Sequence, residues 1–401
     1  MIELETALQR ILAAIPIAGS EQVPLESAAG RILRDTVRSA IDLPSFDNSA
    51  MDGYAVRSAD TRGASLETPV RLGQCAKIPA GGAFSGELKP GDCARLFTGS
   101  PMPSGADAVV MQEDTRVEPS TPEIVHVLDV VKPFENVRLQ GSDVKRGTVI
   151  AAEGQRLTTT GLALLAATGV GSVSVGRQPV TGLLATGSEL REAAATLVAG
   201  EIYESNRVVL SSLIKQSGAQ PRVYPLVPDT SSDTRRSLEQ AFAECDIVVT
   251  CGGVSVGEFD FVKTAFEAIG GRLDFWKVSM RPGKPFVFGR LGETFLFGLP
   301  GNPVSAFVTF LLLARPALLH WQGATDNSLP SAPGVLTETL TNPGDRRHFA
   351  RVRMDVSGRV RLAGLQASHA LGSLAVANGL VDVPPRCEMT EGTTVKVLRW
   401  D

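Results

Sequence analysis

The stretch DIVVTCGGV at residues 246–254 runs from a short apolar segment directly into two glycines. Such a segment, bounded by glycine, is typical of a buried strand that ends in a loop. A similar strand is predicted over residues 180–186, followed by a helix that Asn206 caps, and another helix is predicted over residues 259–269. Because strands alternate with helices here, we predict a doubly wound, mainly parallel sheet in an α/β domain at residues 179–323.

The sequence before this domain is predicted to form two further domains. Apolar side chains near the N-terminus share one helical face, and a second helix is predicted over residues 27–33. A helix start returns at residues 157–160, which we expect to pack on the N-terminal helix. Residues 1–38 and 145–178 would therefore form one discontinuous helical and linker domain. Glycine, proline and short apolar runs recur between them, which is typical of an inserted β domain at residues 39–144.

The C-terminal residues 324–401 again contain short alternating strands. They predict a small β barrel, with a sandwich as the alternative. The predicted fold is therefore multidomain, with an α/β centre, an inserted β domain and a C-terminal barrel.

The composition argues against two classes of protein. Of the 401 residues, 43% are hydrophobic and 20% are charged, which is ordinary for a globular protein. The formal net charge is −4 and 5% of the residues are aromatic, so we expect no nucleic-acid partner. The longest apolar run, residues 304–319, contains Arg315 and Pro316, and we expect it to be too short to span a membrane.

The cysteines and the N-terminus indicate the compartment. The five cysteines are an odd number, and no pair has the CxxC spacing of a zinc or redox site. Reduced thiols are typical of the cytoplasm, and the acidic N-terminus MIELE lacks the pattern of a signal peptide. We therefore expect a cytoplasmic protein.

Three loops are predicted at the carboxyl ends of the parallel strands, where open α/β sheets bind ligands. Glycine lets backbone N–H groups approach an anion closely, and a helix N-terminus adds to the attraction. The loops are TGSE at residues 186–189, GGVSVGEFD at residues 252–260 and LPGNPVSA at residues 299–306. Neither a GxGxxG nor a GxxxxGKS/T motif is present, so a dinucleotide oxidoreductase and a P-loop NTPase are disfavoured.

Charged residues lie next to these loops in the sequence. The cations are Lys277, Arg281 and Lys284, and the acids are Glu189, Asp229 and Asp260. The cations form a compact turn suited to an oxyanion or a phosphate, although a solvated basic turn has the same composition. Acids beside anion-binding loops suggest Mg²⁺ between carboxylate and phosphate. Helix capping is the alternative for the two aspartates.

A further loop, PSFDNSAMDGYAV at residues 44–56, is unusually rich in acids and amides. Asp and Asn favour turns because they bond their own backbone. Asp47 and Asp52 could bind a hard cation or take a proton. A hydrogen-bonded loop without chemistry is the alternative.

Together these motifs resemble the molybdopterin molybdotransferase family, of the MoeA and gephyrin E-domain type. The matching stretches follow the family's order over nearly the whole chain: FDNSAMDGYA at 46–55, TG at 98–99, QE at 112–113, GSD at 141–143, TGSE at 186–189, GGVSVG at 252–257, PGKP at 282–285 and LPGNPVSA at 299–306. The resemblance implies a MogA-like central domain that binds the pterin, and an elongated homodimer.

The resemblance also implies a reaction. Molybdate would be inserted at the dithiolene of adenylylated molybdopterin, with release of AMP and with Mg²⁺ as the divalent cation. The active site would be a cleft between the central domain of one subunit and the inserted β domain of the other.

The roles that the resemblance implies are carried over by motif. Catalysis would use Asp52, Thr98, Glu189, Asp229 and Asp260, and the carboxylates of this set would hold the metal. Pterin or molybdate would contact Gly187, Ser188, Gly252, Gly253, Ser255, Gly257, Lys277, Arg281, Lys284, Pro300, Gly301, Asn302 and Ser368. At Arg281 many relatives carry lysine, so a planar guanidinium here replaces a point charge.

Two alternatives to an enzyme remain open at this point: a pterin carrier without catalysis, and a scaffold. The set of carboxylates favours the enzyme, because a carrier needs cations more than acids. Only one TGSE-to-LPGNP unit is present, so we expect a separate MogA-like adenylyltransferase to supply the substrate. The expected recipients of the product are molybdoenzyme apo-proteins or maturation factors.

Overall fold

The computed structural model describes residues 1–254 and 261–400. At its centre lies a six-stranded sheet in which three neighbouring pairs are parallel and the two pairs at one edge are antiparallel. In sheet order, the strands are Gln220–Val223, Val180–Ala185, Ile247–Cys251, Thr294–Leu299, Val287–Leu291 and Arg272–Trp276. The prediction of a mainly parallel central sheet is confirmed. Two short parallel strands, Leu190–Arg191 and Ile202–Tyr203, lie outside it.

Helices cover both faces of this sheet, because successive side chains of a buried strand point to opposite sides. Val249 and its neighbours face one apolar cluster with helix Asn206–Gln216. Val248 faces a second cluster with helices Ser231–Glu244 and Val262–Ala268. The sheet is therefore doubly wound.

The long apolar helix on the first face spans Pro303–Trp321. It consists of Pro303–Thr309, a π-helical turn at Phe310–Ala314, and Arg315–Trp321. Pro316 has no N–H for the preceding turn, which accounts for the irregular segment. The helix is long and apolar enough to cross a membrane, but 83% of its apolar window is buried inside the protein, as in a core helix.

The N-terminal helix, Leu4–Ala14, joins the central core. Its buried Leu4, Ala7 and Ile11 pack in the same cluster as helix Arg315–Trp321. The prediction that this helix packs on the segment after residue 157 was wrong, since that segment buries its leucines in a separate cluster.

The helix predicted over residues 27–33 is also absent. Only a 3₁₀ turn forms, at Leu25–Ser27. Gly30 then takes a φ of 74°, which ends any helix. Ile32 and Leu33 continue as isolated bridges and are buried.

Two segments that are far apart in the sequence are joined by strand pairing. Strand Ser20–Pro24 pairs antiparallel with Ser172–Gly176, and Val37–Arg38 pairs with Val149–Ala151. Helix Thr159–Ala167 begins at the cap residue Thr158, whose hydroxyl accepts a hydrogen bond from the N–H of Gly161. The pairing joins the segments on either side of residues 39–144, while the domain bounds stay a prediction.

The inserted segment forms a six-stranded mixed sheet. In sheet order its strands are Ala108–Met111, Gly53–Val56, Asp92–Leu96, Val70–Ile78, Ile124–Val127 and Thr115–Val117. A two-stranded ribbon of Asn48–Ser49 and Val137–Arg138 and the 3₁₀ turns Ser58–Thr61 and Gln112–Asp114 complete it.

The C-terminal segment forms a closed barrel of five strands, as predicted. Around the barrel they are Arg347–Met354, Arg359–Leu362, Ser331–Leu336, Thr394–Leu398 and Gly379–Val383, and the last pairs with the first. A short ribbon of Leu340–Asn342 and Cys387–Met389 and helix Leu371–Val376 lie beside it. Strand Met280–Arg281 of the preceding domain pairs with the barrel and attaches it to the central sheet.

Candidate functional site

The loop after strand Val180–Ala185 fixes a carboxylate at the edge of the central sheet. The N–H of Ser188 donates to Asp229 Oδ2 at 3.0 Å, and the N–H of Asp229 donates to Ser188 Oγ at 2.9 Å. The N–H of Gly187 donates to the carbonyl of Val227, which anchors the same two loops. The side chain of Glu189 is exposed beside them. The structure therefore brings together Gly187, Ser188, Glu189 and Asp229.

The two other predicted loops contact this one through glycines. Gly252 has a φ of 92°, and a Cβ there would lie 2.6 Å from the carbonyl oxygen of Thr186. A Cβ on Gly301 would lie 3.5 Å from the Cα of Gly252. Gly253 also has a positive φ, of 66°. The three loops therefore meet at one edge of the central sheet. A side chain at residue 252 would force the first two loops apart.

A buried hydroxyl points to polar surroundings at this edge. Thr186 is 8% exposed, and its Oγ1 has no hydrogen-bond partner within the described residues. Buried polar groups are normally paired, so an unpaired hydroxyl needs an explanation, such as a group bound nearby.

The loop at residues 299–306 is held from two sides. Asn206 Nδ2 donates to the carbonyl oxygen of Gly301 at 2.7 Å. Asn302 Nδ2 donates to Ser368 Oγ at 3.0 Å, and the N–H of Val304 donates to the carbonyl of Ser368. Ser368 thus comes from the barrel region to this loop. The carbonyl of Pro300 accepts from Cys251 Sγ.

Asn206 was not predicted from the sequence to be a site residue. Asn at a helix start is usually a cap, and that was the role expected of it. The structure instead places it inside the helix, with its amide on Gly301. Its position directly before an apolar helical face gave no sign of this contact.

The predicted cationic turn lies between the sheet and the barrel. Lys277 Nζ lies 3.7 Å from the ring centre of Trp276, a cation–π contact. Trp276 Nε1 donates to the carbonyl of Val254, which ties this turn to the glycine loop. Arg281 and Lys284 are exposed. The three cations therefore follow closely in sequence on Trp276, which bonds the glycine loop, and Arg281 and Lys284 are open to solvent.

A buried histidine of the barrel lies behind the cationic turn. His348 is 6% exposed. Burial, together with the nearby charges of Arg281 and Arg351, lowers its pKa to about 4. His348 is therefore neutral at pH 7 and adds no charge to the cations.

Asp52 and Thr98 form a second polar centre on the inserted β domain. Asp52 Oδ1 accepts from the N–H of Thr98 at 2.7 Å and from Thr98 Oγ1 at 2.9 Å. Both bonds lower the pKa of Asp52, and the bond from the backbone N–H makes the larger contribution. The positive charge of the nearby Arg95 acts in the same direction. The carboxylate is exposed and ionised, and its Oδ2 is left free of hydrogen bonds within the described residues.

Arg95 lies beside this centre and contacts two aromatic rings. Its guanidinium carbon lies 4.9 Å from the ring centre of Tyr54 and 5.3 Å from that of Phe97. Its Nη1 donates to the carbonyl of Gly53, and its Nη2 donates to Gln112. This arginine was not predicted from the sequence, because its position depends on strand pairing rather than on a motif.

The Asp52–Thr98 centre and the central loops are supported by different sheets. In the described ranges 1–254 and 261–400, no hydrogen bond or ion pair joins Asp52 or Thr98 to the central loops. Three predicted residues, Ser255, Gly257 and Asp260, lie outside the described residues.

The donor set suits Mg²⁺ by its chemistry. Glu189 and Asp229 at the central loops, and Asp52 at the separate centre on the inserted β domain, offer hard carboxylate oxygens, and Mg²⁺ is commonly held by one or two carboxylates together with substrate phosphates. No group of three metal-binding side chains is found among the described residues. The residues present therefore fit a cation shared with a substrate rather than one enclosed by protein.

Three family models match successive parts of the chain. They are the MoeA N-terminal region, domains I and II, at residues 2–169; the probable molybdopterin-binding domain at residues 182–320; and the MoeA C-terminal region, domain IV, at residues 333–400. Domain order, the central doubly wound sheet and the terminal barrel agree with these matches. The chain belongs to the MoeA family.

Curated relatives and a solved structure resemble the chain over its length. The chain is 36% identical to the molybdopterin molybdenumtransferase of Haemophilus influenzae, over 99% of this chain and 98% of that protein. It is 39% identical to molybdopterin molybdenumtransferase 2 of Mycobacterium tuberculosis, over 94% of each. A crystal structure of a molybdopterin biosynthesis MoeA protein from Pyrococcus horikoshii superposes with a TM-score of 0.83 and 30% identity, covering 100% of both chains.

Proposed function

We propose that this chain is a molybdopterin molybdenumtransferase that inserts molybdate into the dithiolene of adenylylated molybdopterin, with Mg²⁺-dependent release of AMP. Membership of the MoeA family and the names of its curated relatives support the transferase class. The observation that carries the finer reaction is the pair of reciprocal hydrogen bonds between Ser188 and Asp229. They hold a carboxylate beside the first of the three glycine loops.

The loops would bind the anionic part of the substrate. Gly252 and Gly301 lie close enough to leave backbone, rather than side chains, facing the space between the loops. Backbone N–H groups at such loops attract phosphate. Lys277, Arg281 and Lys284 would balance the charge of phosphate and molybdate, since cations there act by position and charge.

The acids would hold the metal. Asp229 and Glu189, with Asp260 as a further candidate, would offer carboxylate oxygens to Mg²⁺. When bound, Mg²⁺ would neutralise phosphate charge and orient the phosphoanhydride for cleavage. Ser188 would keep the Asp229 carboxylate in place, and Thr98 would keep Asp52 ionised.

We propose further that the complete site needs two copies of the chain. Asp52 and Thr98 make no hydrogen bond or ion pair with the central loops of their own chain within the described residues. A homodimer in which Asp52 of the partner subunit faces the central loops would join the two centres. A dimer is therefore expected to be the active form.

The remaining partners follow from the reaction. Its substrate requires an adenylylation step, for which we propose a separate MogA-like adenylyltransferase. Its product requires molybdoenzyme apo-proteins or maturation factors as recipients. We place the reaction in the cytoplasm, and the five free cysteines are in keeping with a reducing compartment.

AMP release from adenylylated molybdopterin tests the proposal. Purified protein is incubated with Mg²⁺, with and without molybdate, and both AMP and pterin-bound molybdenum are measured. We expect release that depends on molybdate and Mg²⁺ together. Tight pterin binding without release would instead indicate a carrier or a scaffold.

Matched variants test the assigned acids. Asp229→Asn removes the carboxylate at the loops, whereas Asp274→Asn changes an exposed carboxylate elsewhere in the same domain. The first should lose AMP release while its unfolding curve stays close to that of the unsubstituted protein, and the second should keep both. Equal activity of the two variants would remove Asp229 from the site.

A further inference from the structure

The outer face of the C-terminal barrel carries three arginines on two neighbouring strands. In the antiparallel pair of strands Arg347–Met354 and Arg359–Leu362, Arg353 lies directly opposite Arg361. Arg359 is two residues from Arg361 and so points to the same face. All three side chains are exposed. We refer to Arg353, Arg359 and Arg361 as the arginine cluster.

The cluster has no charge partner in the described part of the chain. Like charges directly opposite each other weaken a strand pair, and no ion pair there offsets the three positive charges. Among the residues that the structure describes, these side chains make one hydrogen bond, from Arg353 Nη1 to the carbonyl of Val376 at 3.1 Å. The protein as a whole is acidic, with a formal net charge of −4, which makes an uncompensated cationic face unexpected.

Two acids next to the ends of strand Arg359–Leu362 each use one carboxylate oxygen to accept from backbone N–H groups. Asp355 Oδ1 accepts from the N–H groups of Ser357 and Arg359. Glu338 Oε1 accepts from the N–H of Leu362. These bonds shape the turns at either end of the strand, and neither acid lies within ion-pair distance of the cluster.

Two cavities open on the cluster and share two of its members. One, of about 400 Å³, is lined by Thr337, Asp355 and all three arginines. The other, of about 550 Å³, is lined by Arg353 and Arg361 together with Ser373 and a mainly apolar wall that includes Leu362, Leu365, Ala370 and Val376. Both volumes lie in the range of small-molecule pockets, about 300–1,000 Å³. Guanidiniums thus separate a polar cavity from a more apolar one.

We propose that the arginine cluster binds a small organic phosphate. Arginine presents a planar fork of N–H donors that matches phosphate oxygens in pairs. A dianionic phosphate between Arg353 and Arg361 would turn their repulsion into attraction. The organic part of the ligand would occupy the 550 Å³ cavity beside Leu362 and Val376. This site is separate from the three loops of the central domain and does not depend on the function proposed for them.

Hydrogen exchange measured by mass spectrometry tests the proposal on the full-length protein. The probes are adenosine monophosphate, inorganic phosphate and adenosine. We expect adenosine monophosphate to slow exchange in peptides that cover residues 351–376. Inorganic phosphate should do so only at higher concentration, and adenosine should have no effect. Equal potency of the two phosphates would overturn the organic part of the proposal.

Paired variants separate this site from other anion sites. The double variant R353Q/R361Q should need about tenfold or more adenosine monophosphate for the same protection, since each charge-assisted contact is worth at least that factor. The control R71Q/R116Q removes two exposed strand arginines from the inserted β domain and should behave as the unsubstituted protein does. Because the double variant removes a repulsion, its Tm without ligand should not fall.

Two results would overturn the proposal. One is unchanged exchange over residues 351–376 at millimolar adenosine monophosphate. The other is equal protection in R353Q/R361Q and in the control. Binding at the central loops would instead appear in peptides that contain residues 186–189 or 299–306, so failure at either site is distinguishable from failure at the other.

Discussion

Arg207 and Glu204 form a buried ion pair at the start of helix Asn206–Gln216. Arg207 Nε donates to Glu204 Oε2 at 3.0 Å, and the N–H of Arg207 donates to Glu204 Oε1 at 2.8 Å. The two side chains are 9% and 3% exposed. The pair flanks Asn206, whose amide binds the carbonyl of Gly301. It therefore supports one side of the proposed substrate site from within the domain.

We predict that Glu204→Gln destabilises the protein strongly, because it leaves the buried guanidinium with less compensation. Breaking a buried pair costs about 3–5 kcal/mol. Glu192 also bonds Arg207 and is largely exposed, so we expect the lower end of that range. Urea unfolding measures the change. In the control Glu239→Gln, which breaks an exposed pair with Arg235, the loss should be below about 0.5 kcal/mol. Similar losses in both variants would show that burial does not decide the strength of the pair.

We predict that Ser188→Ala weakens the use of Mg²⁺ without abolishing activity. The substitution removes the hydroxyl that accepts from the N–H of Asp229, so the carboxylate is less well oriented. Loss of such a supporting contact typically costs about 10–100-fold in metal affinity or activity. AMP release is measured against Mg²⁺ concentration, and excess Mg²⁺ should restore part of the rate. Ser232→Ala, at an exposed serine of the same domain, serves as the control. An unchanged Mg²⁺ dependence in Ser188→Ala would contradict the role of Asp229 as a metal ligand.

We predict that Thr98→Val raises the pKa of Asp52. The backbone N–H of Thr98 makes the larger contribution to the lowered pKa and is kept, while the hydroxyl bond is lost. If Asp52 acts as a carboxylate, the acid limb of the pH profile of AMP release should move to higher pH. Carboxyl NMR titration of Asp52 checks the pKa directly. A profile that stays in place although this pKa rises would show that the ionised Asp52 is not required.

We predict that stability falls in acid because His348 is buried in its neutral form. Its pKa is lowered from 6.5 to about 4, so the unfolded chain binds a proton between these values and the folded protein does not. The stabilisation is complete above pH 6.5 and is lost as the pH falls toward about 4, by about 3 kcal/mol in all.

The free energy of unfolding measured from pH 4 to pH 7 tests this assignment. His348→Gln should flatten the dependence in this window, whatever its effect on the stability itself. His369→Gln changes an exposed histidine and should leave the slope as it was. If both variants keep the slope, the titrating group lies elsewhere.

The sequence predicted those parts of the fold that depend on periodicity. Strand Ile247–Cys251 is a continuous apolar run because it is buried on both faces, and this pattern is visible without a structure. The helix expected at residues 27–33 failed because one residue, Gly30, takes a left-handed conformation. The pattern of apolar residues does not reveal that one glycine takes a positive φ. Ile32 and Leu33 would fit the apolar pattern both in a helix and in the extended segment that forms.

The candidate site was predictable as a set of loops, but its contacts were not. Ser188 and Asp229 belong to different loops, and only the parallel pairing of their strands brings them together. Asn206 was expected to cap a helix and instead bonds Gly301. The arginine cluster depends on the register that sets Arg353 opposite Arg361, which no spacing within the sequence determines.

The pairing of strand Ser20–Pro24 with Ser172–Gly176 has a consequence for biosynthesis. The first strand leaves the ribosome long before its partner is translated, and the whole inserted β domain is made in between. Contacts between such distant segments form slowly because a long loop must close. The inserted domain should therefore fold first and bring its two flanks together. A destabilised β domain would then delay maturation of the neighbouring segments as the chain is made, even where the finished protein is stable.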